Sequence, residues 1–305
     1  MSPDEITALL ASMVRNATPL AFAALGGLFS ERSGVINIGL EGMMLMSAFG
    51  GAAGAHFSGS VWIGLLVALL VGLLLGLLHA AASITFEADQ IISGTAINLL
   101  ALGGTGFLMV TLFGAGGTSP RIDSFGPIAI PGLSSIPVIG PALFNQSILV
   151  YLLYVMVPLC WYLLFRTPFG LRLRAVGEVP EALDVAGVSV VRMRYLGVGL
   201  SGLFAGLGGA FLSMSLLSAF TEGMTNGRGF IALAALIFGR WNPIGAFGAA
   251  LLFGAAQAFV FRGPQLAIPQ EFIEMIPYLL VIIALVGFGG RAVAPAAVGK
   301  PYRKE

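Results

Sequence analysis

Apolar runs of about twenty residues recur along this chain with almost no charge inside them, and that pattern restricts the fold to a bundle of membrane-spanning helices. Backbone N–H and C=O groups in lipid have no water to pair with, so a crossing segment must satisfy them internally. The runs fall near 7–29, 35–55, 61–83, 91–113, 147–165, 196–218, 228–239, 243–261 and 273–289. The seventh is too short to span a core of about 30 Å unless it is tilted, broken or extended. Composition closes off the alternatives: of 305 residues 57% are hydrophobic and only 10% charged, against about 25% charged in a soluble domain. A net charge of +1 lacks the basic excess that nucleic-acid binding requires. The expected fold is therefore all-α and polytopic, a single membrane domain over 1–305 with about nine transmembrane helices.

The remaining local signals are modest. The start, Met1-Ser-Pro-Asp-Glu, is acidic where a secretory signal would be basic. Cys160 is the lone cysteine, which excludes an intramolecular disulfide and a multi-cysteine metal site; it reads as a small buried hydrophobe. His56 reads as an interfacial loop residue and His79 as a helix residue near a membrane face. Residues 114–146 hold Pro120, Pro127, Pro131, Pro137 and Pro141, so they cannot form one regular helix.

Orientation follows from Lys and Arg. Arg166, Arg172, Arg174, Arg192 and Arg194 share the segment 166–194, and Arg291, Lys300, Arg303 and Lys304 share the tail 290–305. Threading nine spans with both segments cytoplasmic also places Arg32 and Arg240 inside, which gives 11 basic residues inside against four outside or near the outer face (Arg15, Arg121, Arg228 and Arg262). The amino terminus and the 114–146 loop are then outside, and the carboxyl terminus is cytoplasmic.

Two segments resemble each other. Phe22-Ala-Ala-Leu-Gly-Gly-Leu-Phe29 matches Phe204-Ala-Gly-Leu-Gly-Gly-Ala-Phe211 at six of eight positions with an offset of 182. Farther on, Gly34-Val-Ile-Asn-Ile-Gly39 resembles Gly229-Phe-Ile-Ala-Leu-Ala234 at an offset of 195, which implies a 13-residue insertion in the second copy. Threading makes the first span run inward and the sixth outward. The expectation is two inverted-topology repeats, about 7–113 and 196–289, joined by a connector helix at 147–165. The alternative is that Gly/Ala-rich helices look alike through shared packing chemistry; two matches in one order, with consistent topology, favour a true repeat.

The most informative stretch is 30–44, which places Glu41 inside an otherwise apolar span with Asn37 one turn earlier and Gly34, Gly39 and Gly42 around them. On a regular helix Asn37 and Glu41 share a face; the glycines permit an unwound turn instead. A carboxylate within the membrane is costly, so it either pairs with another group or faces a cavity. Asn98, in the fourth span, poses the same choice. Asn37, Glu41 and Asn98 are the candidate substrate-pathway residues. Asn226 and Arg228 read as interfacial, at the outer edge of the seventh span.

On the cytoplasmic side, Pro180 suits the first turn of a helix, Glu181 and Asp184 its positive end, and Gly187 its stop. A capped helix of about two turns outside the membrane suits docking to a cytosolic partner. Catalytic motifs are missing. The only lysines are Lys300 and Lys304, so no Walker A loop exists, and no His-Glu-x-x-His or Gly-x-Ser-x-Gly pattern occurs. The chain reads as a transporter subunit rather than an enzyme, with no metal or cofactor, and any ATPase must be another chain.

Glu31-Arg-Ser-Gly-Val-Ile-Asn-Ile-Gly-Leu-Glu-Gly-Met43, the Arg174-Ala-Val-Gly motif with its continuation to Gly187, and Gly227-Arg-Gly-Phe-Ile-Ala-Leu-Ala-Ala-Leu-Ile-Phe-Gly-Arg-Trp-Asn-Pro243 together resemble the permease subunits of ABC importers. The subgroup serves branched-chain amino acids, simple sugars and nucleosides, and the first motif most resembles bacterial nucleoside permeases. The resemblance implies a type II importer fold in the bacterial inner membrane, a second permease subunit, two cytosolic ABC ATPase subunits and an extracytoplasmic substrate-binding protein. It also implies that Gly177, Glu178, Pro180, Glu181, Ala182, Asp184, Ala186 and Gly187 belong to the helix that docks on the ATPase. Leu183, where the family has a second Ala, and Val179, where Asn is common, depart from its pattern. The implied cargo is a nucleoside; the alternatives are a simple sugar or branched-chain amino acid, or a stand-alone secondary transporter with Glu41 as its proton site.

Overall fold

Ser2 starts the first helix: its hydroxyl accepts the Glu5 N–H at 3.2 Å while the Glu5 carboxylate accepts the Ser2 N–H at 2.8 Å, a reciprocal cap with Pro3 in the first turn. Helix α1 (Pro3–Arg32) then runs for 30 residues, about 45 Å. The computed structural model describes residues 2–114, 116–260, 275, 279, 282–283 and 293–303. After α1 come α2 (Leu40–Ser58), α3 (Val61–Ala80, continued by a π turn Ala81–Thr85) and α4 (Gln90–Phe113). The following stretch holds two short antiparallel strands, β1 (Pro127–Ala129) and β2 (Asn145–Ser147), and the one-turn α5 (Ile139–Phe144). Helices α6 (Ile148–Arg166), α7 (Pro168–Glu178), α8 (Pro180–Val185) and α9 (Val190–Phe211, continued by a π turn Leu212–Leu216) follow. The last described helices are α10 (Arg228–Phe238) and α11 (Pro243–Val260).

Among the described residues six helices are long and apolar enough to cross a membrane: α1, α3 with its π turn, α4, α6, α9 with its π turn, and α11. The span expected at 273–289 lies, but for residues 275, 279 and 282–283, outside the described residues. At 11 residues, α10 is about 16 Å long and cannot cross a 30 Å core alone. The second expected span begins later than its apolar run: residues 34–39 are not helical, and α2 starts at Leu40. Asn37 therefore does not share a helix face with Glu41. His56 sits in the last turn of α2 rather than in a loop.

Helices α1 and α9 form the centre, buried along most of their lengths. They run antiparallel, because Cβ atoms built at Gly26 and Gly208 would lie 2.7 Å from the Ser201 carbonyl and 3.1 Å from the Pro19 carbonyl. Those two contacts are images of each other: adding 182 turns Pro19 and Gly26 into Ser201 and Gly208. The neighbours exchange as well. Helix α3 packs antiparallel on α9, with Gly72 against Gly202 and Gly76 against Val198, and α11 packs antiparallel on α1, with Gly254 against Ala17 and Trp241 against Arg32. The second sequence match does not extend this relation. Residues 34–39 are irregular while 229–234 lie within α10, and the starts of α2 and α10, Leu40 and Arg228, are 188 apart rather than 195.

Candidate functional site at the broken helices

Helix α1 stops where Gly34 takes φ +89°, a conformation that a side chain disfavours. The Gly34 and Val35 N–H groups fold back onto the Glu31 and Ser30 carbonyls at 3.0 and 3.1 Å, which terminates the helix. The next residues need partners for their backbone groups, and side chains from α3 and α4 supply them. Gln90 Oε1 accepts the Ile36 N–H at 2.7 Å. His79 Nε2 lies 2.8 Å from the Ile36 carbonyl, which can only accept, so Nε2 carries the proton and Nδ1 faces Ser93 Oγ at 3.0 Å. Asn98 donates Nδ2 to the Ile38 carbonyl at 3.1 Å and accepts the Gly42 N–H at 2.7 Å. Every one of these bonds would be orphaned in lipid without its side-chain partner.

Asn37 points the other way. It is fully buried and donates Nδ2 to Ser201 Oγ on α9 at 2.9 Å. Its Oδ1 is also buried and has no hydrogen-bond partner among the described residues.

Glu41, in the first turn of α2, spends both oxygens on the start of α10: Oε1 accepts the Gly227 N–H at 2.8 Å and Oε2 the Gly229 N–H at 2.6 Å. The free N–H groups of a helix N-terminus and its dipole favour a carboxylate there. A Cβ at Gly229 would collide with the Glu41 backbone, and one at Gly94 would lie 2.8 Å from the Gly39 nitrogen. The first turns of two short-started helices thus meet head to head, with α4 against them. Arg228, expected at the edge of the seventh run, is the first residue of α10, at this junction.

The far end of α10 fixes the depth. Arg32 donates Nε and Nη2 to the Trp241 carbonyl at 3.0 and 2.8 Å, and the Glu31 carboxylate accepts the Trp241 indole N–H. Arg240 and Trp241 hold φ of +55° and +51° in that turn, unfavourable for residues with side chains. Residues 33–39 therefore climb the length of α10, about 16 Å, from the end of α1 to the start of α2. Seven residues reach about 23 Å when extended, so the climb is affordable only because the segment is not helical.

Segment 166–194 forms α7 and α8. Pro180 stands at the first helical position of α8, and Gly187, at φ +78°, ends it by bonding to Asp184 O at 2.9 Å. Glu181, Ala182, Ala186 and Gly187 are exposed, Asp184 is half-buried, and Val185 is 91% exposed, unusual for an apolar side chain. Gly177 and Pro180 are buried, and Gly177 together with Glu178 binds the tail: Gly177 O accepts the Ala297 N–H at 2.8 Å and Glu178 Oε2 the Ala296 N–H at 3.2 Å. At the opposite end of the fold, residues 117–125 pair with 214–222, including Ser119 N–H to Phe220 O at 2.8 Å and Glu222 N–H to Gly117 O at 2.9 Å.

Chemically, this is a set of hydrogen-bonding amides with the Glu41 carboxylate and two largely buried helix starts. No cluster of His, Cys, Asp and Glu that could hold a metal occurs among the described residues. Asn98 and Glu41 meet through α2, while Asn37 joins the α9 side. Sequence reasoning missed His79, Gln90 and Ser201; their one signal is polarity on otherwise apolar helices.

Residues 9–285 match the family model described as branched-chain amino acid transport system / permease component. The chain is 48% identical over 299 residues to the guanosine ABC transporter permease protein NupQ of Bacillus subtilis (strain 168), covering 94% of each. It is 42% identical over 307 residues to the nucleoside ABC transporter permease protein NupC of Lactococcus lactis subsp. cremoris (strain MG1363), covering 97% of this chain and 96% of that one. A Haloferax volcanii protein provisionally named a glucose ABC transporter permease, TsgC13, is 40% identical over 267 residues, covering 86% and 80%.

Proposed function

Because this chain belongs to the permease-component family of branched-chain amino acid transport systems, we propose that it is a transmembrane subunit of an ATP-driven nucleoside importer. The carrying observation is the near full-length identity to two permeases named for guanosine and nucleosides. Hydrolysis falls to cytosolic ATPase subunits, since this chain has no Walker A lysine. A second permease subunit completes the pore, and an extracytoplasmic binding protein delivers cargo to the 114–146 side. The amino terminus is outside and the carboxyl terminus cytoplasmic, in a bacterial inner membrane.

The working fold is two inverted repeats, supported by the antiparallel α1 and α9, their exchanging glycine contacts and their exchanging neighbours, α3 and α11. Alternating access then moves one repeat against the other around the junction of α2 and α10. Glu41 and Asn98 meet that junction through α2, Asn37 faces α9 beside it, and the three set the pathway's polarity. A neutral nucleoside suits amide groups better than a charged clamp. Residues 178–187 receive the ATPase movement: Glu181, Ala182, Asp184, Ala186 and Gly187 form the docking surface, while Gly177, Glu178 and Pro180 anchor it.

A simple sugar is the second reading, favoured by the 40% identity to TsgC13. The test is uptake of radiolabelled nucleosides and glucose by cells with and without this chain, under ATP depletion and under an uncoupler with ATP maintained. Nucleoside uptake lost on deletion and on ATP depletion, but kept under uncoupler, supports the importer. Glucose uptake lost instead changes the cargo, and loss to uncoupler alone replaces the ATP-driven machine by a proton-coupled one.

A further inference from the structure

The carboxyl-terminal segment crosses the cytoplasmic end of the fold as a strap, and its partners are the two regions that the importer reading must connect. Ala296 and Ala297 bond to Glu178 and Gly177 at the end of α7. Two residues on, the Gly299 N–H donates to the Gly34 carbonyl at 3.1 Å. Gly34 opens the irregular segment that leads to Asn37 and Glu41. A Cβ at Gly299 would lie 3.0 Å from the Ile36 side chain, so the strap also packs on that segment. Arg194 of α9, 1% exposed, donates Nη1 to the Lys300 carbonyl at 2.9 Å. Arg303 reaches Glu87, before α4, with Nε at 2.8 Å and Nη2 at 2.6 Å. Tyr302 lines a cavity of about 260 Å³ with Asp184, Gly187 and Ser189, beside α8.

We propose that strap residues 295–303 carry the ATPase-driven displacement of α7 and α8 to the broken segment 33–39. The proposal rests on the importer reading above. Three considerations support it. Ala297 and Gly299 are too close in sequence for Gly177 and Gly34 to move far apart while both bonds hold; two residues span about 7 Å. The bonds at Ala297 and Gly299 are backbone to backbone and that at Lys300 runs to the buried Arg194, so these three persist through rotamer changes at the surface. A buried guanidinium with a carbonyl partner is costly to strip, which ties the strap to α9. Gly299, Arg194 and Glu178 are positioning residues in this scheme; none needs to touch cargo.

The test uses the assembled importer in proteoliposomes, with Cys160→Ser and a reporter Ile38→Cys in the broken segment as the parent. Uptake per ATP hydrolysed is measured together with maleimide labelling of the reporter with and without ATP. Gly299→Pro removes the N–H given to Gly34 and cannot adopt φ +78°. The expected result is ATP hydrolysis at the parent's rate, uptake per ATP lower by about tenfold or more, and loss of the ATP-dependent change in labelling. A chain ending at Ala294 should do the same; if it does not assemble, Gly299→Pro alone decides. Retention of parental coupling and labelling change in Gly299→Pro overturns the proposal, as does a parent whose labelling ignores ATP. A parent that shows the labelling change but imports no nucleoside overturns the cargo assignment, and the labelling then judges the strap separately.

Discussion

Glu41 and Gly229, 188 residues apart in the chain, are joined by a hydrogen bond of 2.6 Å from the Gly229 N–H to the carboxylate. This bond, with its companion from Gly227, makes one side chain of α2 the cap of α10. Replacing Glu41 by Gln keeps one acceptor and points a donor at the other N–H. The variant is expected to lose about 1–3 kcal/mol of stability and most of its uptake, read by thermal unfolding in detergent and by transport. Unchanged unfolding would show that the cap does not hold the two helices together.

Asn98 makes a comparable prediction on the opposite side of α2. Asn98→Leu keeps the volume but leaves the Gly42 N–H and Ile38 C=O without partners, at about 1–3 kcal/mol for each group. Asn98→Asp, compared at an acidic pH that protonates the carboxyl, keeps an acceptor for Gly42 and an O–H donor for Ile38 without a charge in the span, so its midpoint should fall between wild type and Asn98→Leu. The reverse order would mean that shape, not hydrogen bonding, is what Asn98 supplies.

Two glycines of similar sequence setting separate packing from composition. A Cβ at Gly202 would strike the Gly72 carbonyl, whereas one at Gly103 on α4 meets nothing within 4 Å. Gly202→Ala is expected to cost about 1–3 kcal/mol through forced separation of α3 and α9, and Gly103→Ala to leave stability unchanged. Parallel unfolding curves check the pair, and equal midpoints would refute the close crossing.

Val185, 91% exposed on α8, touches little of its own chain. Val185→Glu should therefore leave the unfolding temperature alone while reducing co-purification of the ATPase subunits and the ATP dependence of uptake. Normal co-purification would move the docking surface away from α8.

Six of the nine expected runs are helices long and apolar enough to cross among the described residues, and those six were legible because lipid enforces them: a run of apolar residues long enough to cross has few alternatives. The α8 helix was equally readable, since Pro180 and Gly187 each encode a local backbone angle. The broken segment was half readable. Glycines and buried polar residues at 34–42 marked it, but whether the chain unwinds there depends on Gln90, His79 and Asn98 supplying substitute partners from other helices. The partner of Glu41 lay beyond any local pattern, because Gly227 and Gly229 offer backbone groups, which leave no chemical signature in a sequence. The 34–39 to 229–234 likeness misled for a related reason. Small and branched apolar residues serve an extended segment and a helix alike, so similarity there does not fix register.

The α3–α9 crossing has a mechanical consequence. At Gly72, Gly76, Gly202 and Gly206 the two helices meet backbone on backbone, without the interleaved side chains that lock most helix pairs in place. At those four positions a slide of one helix along the other meets no side chain that must change rotamer. It is a bearing surface of bare backbone, flanked by Leu73 and Leu77 of α3 where they pack on Gly199 of α9.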